Sequence, residues 1–60
     1  SRIHIHVECE VGEAKFWIEP IISLATRHQL NPRLLNQIQK IIEERKDEII
    51  KEWKKHFGQR

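Results

Sequence analysis

A chain of 60 residues has room for one domain. At that size about 60% of the unfolded surface is buried on folding, so stability leans on a disulfide, a metal or a partner. A single cysteine, Cys9, excludes an intramolecular disulfide, and no apolar run approaches the roughly 18 residues that cross a bilayer. The formal net charge of +2 is too small to demand a polyanion, and the charge is divided: residues 1–31 carry three basic and four acidic side chains, residues 32–60 eight basic and five acidic. A lone thiol suits a reducing compartment, so a cytoplasmic location is expected.

The first element is read from alternation. In Arg2-Ile3-His4-Ile5-His6-Val7-Glu8-Cys9, period two puts Ile3, Ile5, Val7 and Cys9 on a core face and Arg2, His4, His6 and Glu8 on the other. Glu10-Val11-Gly12-Glu13 supplies a glycine for a tight turn. Ala14-Lys15-Phe16-Trp17-Ile18 then alternates again, with Ala14, Phe16 and Ile18 inward. A hairpin over residues 2–19 follows, with Trp17 on the same outer face as His4 and His6 if both apolar faces meet one core.

Glu19-Pro20 ends the second strand because proline donates no backbone hydrogen bond. Within the connector, residues 20–31, Ile21-Ile22-Ser23-Leu24-Ala25 reads as a third short strand or a helical turn, and His28 reads as a loop residue. Asn31-Pro32 is a clear start signal, an N-cap followed by a residue preset for the first helical position. The helix so begun, residues 32–57, has an apolar stripe of Leu34, Leu35, Ile38, Ile41, Ile42, Ile49, Ile50, Trp53 and Phe57 and closes at Gly58. Unbroken, it would run about 39 Å. The charged stretch Glu43-Glu44-Arg45-Lys46-Asp47-Glu48 interrupts the stripe, with Arg45 where a core residue belongs. Either the helix kinks near Arg45 to Asp47, or it reaches past its own sheet and needs a partner to cover it. The expected class is α+β: an antiparallel hairpin or three strands, packed on a long C-terminal helix.

The order His4-Ile5-His6-Val7, Gly12-Glu13-Ala14, Lys15-Phe16-Trp17-Ile18-Glu19-Pro20, Leu35-Asn36-x-Ile38-x-x-Ile41 and Glu52-Trp53-x-x-x-Phe57-Gly58 resembles the small prokaryotic proteins grouped as domain of unknown function 4160. The pieces are individually weak, and their order and spacing carry the resemblance over nearly the whole chain. Such proteins usually begin with a further strand and a proline-containing lead, as in Pro-Pro-His-x-His-Val. Here Arg2-Ile3 stands in that place, so the resemblance implies an N-terminal strand absent from these residues. It brings no established activity. It does imply a partner, since the genes often neighbour another small gene in an arrangement like that of toxin–antitoxin pairs.

Few residues suggest chemistry. His4 and His6, two apart on one strand face, have the spacing to ligate zinc or another divalent ion as neutral imidazoles, with a third ligand supplied by His28, a carboxylate or a symmetry-related histidine. The plain alternative is a pair of solvated strand residues. Cys9 reads as a small core hydrophobe rather than a reactive thiol, and His56 as a cation suited to a helix C-terminus. Trp53 and Phe57 belong to the helix stripe, and Trp17 marks a partner surface or is covered by another element; together they are the expected protein contact. Lys51, Lys54, Lys55 and Arg60 form the nucleic-acid alternative, set against the simpler reading of a solvated face paired with Glu48 and Glu52. No nucleophile, base and orienting acid can be assembled. The expected function is a protein-interaction module working as a homodimer or with a second small protein. A metal-dependent hydrolase or nuclease built on His4 and His6 is the minority reading.

Overall fold

A computed structural model describes residues 2–58. The two alternating runs form the hairpin: β1 (His4–Glu8) and β2 (Glu13–Trp17) pair antiparallel, with His4 opposite Trp17, His6 opposite Lys15 and Glu8 opposite Glu13. The apolar phase is as expected at Ala14, Phe16 and Ile18, which are buried, Phe16 and Ile18 completely so. Ile3, Ile5 and Val7 pack against that core from β1. Cys9 does not join them. It lies past the end of β1, is exposed, and its amide donates to the Gly12 carbonyl at 2.8 Å, so the turn and not the core takes this residue.

Gly12 is needed for space. No glycine has positive φ, but a Cβ on Gly12 would lie 2.1 Å from the His28 carbonyl oxygen. The backbone it admits is the end of β3 (Ser23–His28), the third strand of a sheet ordered β1-β2-β3. β3 starts two residues later than the apolar run Ile21-Ile22 suggests and takes in His28, which faces Glu13 across the ladder instead of standing in a loop. Propensity leaves this segment ambiguous; the unsatisfied edge of β2 selects the strand. Lys15 opposes Thr26 while Phe16 opposes Leu24, so Ala25 is the extra residue of a bulge.

The Asn31-Pro32 signal is realised in full. Asn31 Oδ1 accepts the Leu34 amide at 2.8 Å, Pro32 occupies the first turn, and α1 (Pro32–Glu44) lays Leu35 and Ile42 into the core beside Leu30. A single long helix to Phe57 does not form. The helix breaks at Arg45, whose φ of −110° and ψ of 18° leave the helical region, and α2 (Lys46–Trp53) resumes beyond it before a π-helical turn, Lys54–Gly58. The physical cause is the gap in the stripe, since no apolar side chain between Ile42 and Ile49 holds that turn against the sheet. Hydrogen bonding bridges the break: the Arg45 amide donates to both Ile41 and Ile42 carbonyls, and its own carbonyl accepts from Ile49. α2 has no buried residue, and the described chain is elongated, 38 × 18 × 18 Å.

Candidate functional site

Two features stand out on this scaffold. The first is an open groove of about 800 Å³ running between β1 and the helices, with Ile5 and Val7 on the strand side and Ile38, Ile41, Ile49 and Trp53 on the helix side. β1 is an edge strand and α2 buries no residue fully, so the apolar residues of the two walls are only partly covered. Ile41 is 55% exposed, and Phe57, beyond the groove lining, 69%. Charged side chains, Arg45, Glu48, Lys51 and Glu52 among them, line its rim. A concave apolar strip with a polar rim is the common form of a protein-contact surface.

An aromatic run closes one end of the groove. His4 lies edge-on to Trp17 at 6.0 Å between ring centroids and edge-on to Trp53 at 4.7 Å, and Trp53 meets Phe57 at 4.4 Å. The three residues expected at a partner contact are therefore joined through His4, which the sequence offers as a metal ligand. Its Nδ1 is 2.9 Å from the Arg2 carbonyl. Trp17 is half-buried and carries two cations over its ring, Arg2 at 4.2 Å and Lys15 at 4.5 Å from the centroid, and the Arg2 Nε–H donates to the Glu19 carbonyl. The guanidinium and ammonium over the indole give its otherwise wet face a partner.

The second feature lies on the outer face of the sheet. His6 Nε2 is 2.8 Å from Glu13 Oε1, and His6, Glu8 and Glu13 offer donor atoms all within 4.8 Å of one another. His28 lines a shallow depression beside His6 and Glu13. This group keeps His6 and replaces His4 with two carboxylates. Glu13 is not singled out by residue type; the hairpin register is the signal that finds it, because pairing Cys9 with Gly12 sets Glu13 opposite Glu8.

Lys51, Lys54 and Lys55 are exposed on the last helical turns, and Arg60 lies outside the described residues. Glu52 approaches His56 at 3.9 Å. Among the described residues no helix is long and apolar enough to cross a membrane.

With the strands, the groove and the His6 cluster in place, comparison with known families is decisive for kinship. The model of the family described as Domain of unknown function (DUF4160) matches residues 1–54. The chain belongs to this family. The match covers β1 through α2 and takes in His4, His6, Trp17 and Trp53, while Phe57 lies beyond it. No curated protein and no solved structure matches the chain.

Proposed function

We propose that this DUF4160 protein is a protein-interaction module, one half of a two-component pair, whose contact surface is the groove beside β1 together with the run from Trp17 through His4 and Trp53 to Phe57. The observation that carries the reading is the groove itself, apolar on both walls and open along the edge of a sheet. Aromatic side chains at such a surface supply large contact area at small entropic cost. The test is co-purification from the native cell with the wild-type chain and with Trp53→Ala and Ile49→Asp. A specific protein retained by the wild type and lost from both variants is the expected result; a folded, partnerless monomer overturns the reading. Retention on DNA or RNA that falls steeply with salt would favour the basic helix end instead.

A second reading is supported by His6, Glu8 and Glu13: a weak divalent-cation site, since one imidazole and two carboxylates match the donor types that hold zinc with a position left open. Elemental analysis of untagged protein and zinc titration test it. Glu13→Gln and His6→Ala should each remove binding and His4→Ala should leave it; equal loss from His4→Ala and His6→Ala would return the site to the His-x-His pair.

A further inference from the structure

We propose that the free edge of β1 pairs with β1 of a second copy of this chain, antiparallel about a twofold axis through His6, so that two sheets become one. This rests on the groove as an interaction surface, places a second copy along its β1 edge, and leaves the aromatic run at Trp53 and Phe57 to the other component of the pair.

The phase of the ladder fixes which atoms are available. Ile18 donates to the Ile3 carbonyl and Cys9 to the Gly12 carbonyl, so Ile3, Ile5, Val7 and Cys9 bond toward β2. The alternate residues His4, His6 and Glu8 turn their N–H and C=O groups to the open side. A strand can join there only by presenting backbone groups of the same phase. A second β1 laid over the full length of the first does so, with His6 opposite the partner's His6 and His4 opposite the partner's Glu8.

Side chains agree with this register on both faces. On the core face Ile5 stands opposite the partner's Val7, and the second strand's apolar residues enter the groove beneath Ile41 and Ile49. On the outer face Glu8 already faces Glu13 within its own hairpin, an unfavourable match of like charges at the closer, non-hydrogen-bonded kind of pair. The second copy puts an imidazole on the other side of that acid. The two sheet edges also differ. β3 carries a bulge at Ala25 and a charged Arg27, devices that blunt an edge, whereas His4-Ile5-His6-Val7-Glu8 has no proline, lysine or bulge. The contact is isologous and closes on itself as a dimer.

Sedimentation velocity of the full chain at tens of micromolar, with EDTA present to exclude bridging metal, reads the assembly. A dimer is expected. His6→Lys, which sets two ammonium groups opposite each other on the axis, should weaken it by about tenfold or more, a cost near 1.4 kcal/mol. His6→Pro, which removes an N–H that β2 does not use, should abolish it while circular dichroism stays native. The register is read by oxidation in a Cys9→Ser background. His6→Cys should form an intermolecular disulfide, because paired Cα atoms at a hydrogen-bonded position lie about 5.5 Å apart, and Glu8→Cys should not. A folded wild-type monomer overturns the proposal, as does a dimer indifferent to His6→Lys or one cross-linked through position 8 and not 6. Such a monomer that still retains a foreign protein through Trp53 removes the second copy and leaves the groove reading standing; one that retains nothing ends both.

Discussion

The sheet with α1 and the segment after Arg45 are built from similar apolar residues yet end in different states. In the first, Ala14, Phe16, Ile18, Leu30, Leu35 and Ile42 are buried together. In the second, Ile49, Ile50 and Trp53 are half-covered, Phe57 is mostly exposed, and α2 buries nothing fully. Both stretches are amphipathic, so periodicity alone does not separate them. What separates them is whether a second layer lies opposite. The difference divides the chain: one region buries its apolar residues together and supplies most of the folding energy, and the other leaves apolar surface partly uncovered.

That division is most sharply broken by Phe16→Ala, which should cost about 3–5 kcal/mol and unfold so small a domain, whereas Phe57→Ala should change stability by no more than about 0.5 kcal/mol. Urea denaturation of the two variants checks the contrast, and equal effects would erase it. Gly12→Ala comes next. Its Cβ would meet the His28 carbonyl at 2.1 Å, so the end of β3 must move, at about 1–3 kcal/mol, visible as lost hydrogen-exchange protection in β3 before α1.

Asn31→Ala removes the acceptor for the Leu34 amide and should cost about 1 kcal/mol, confined to the folding half and without effect on assembly. The smallest effect tests the boundary itself. Arg45→Leu restores an apolar residue to the gap in the stripe and should add helical signal at 222 nm with a gain below about 1 kcal/mol. An unchanged spectrum would mean that the break is set by packing on either side and not by the missing side chain.

Much of the fold was legible because local signals agreed. Alternation through Ile3-Ile5-Val7 and Ala14-Phe16-Ile18, and the Asn31-Pro32 cap, each name an element from a few neighbouring residues, and family kinship follows their order. The site was less legible. His4 and His6 were visible as a pair, but one joins an aromatic run and the other a carboxylate cluster, and no spacing rule distinguishes them. Glu13 and Trp53 acquire their neighbours through cross-strand register and the direction of α2, which depend on residues far away in sequence.

The two strands of the hairpin, the phase of their apolar faces and the start of α1 follow from the residues themselves, because each rests on steric and hydrogen-bonding preferences within a turn or two of chain, whereas the charged gap around Arg45 leaves a kink and a continuous helix both open. Packing between distant segments settles that the helix breaks at Arg45, that Ser23–His28 is a strand, that Cys9 is exposed, that Gly12 must lack a side chain, and that a groove opens beside β1. Those outcomes turn on which backbone edge is left to satisfy and which surfaces find a second layer, and both are settled only when distant segments meet.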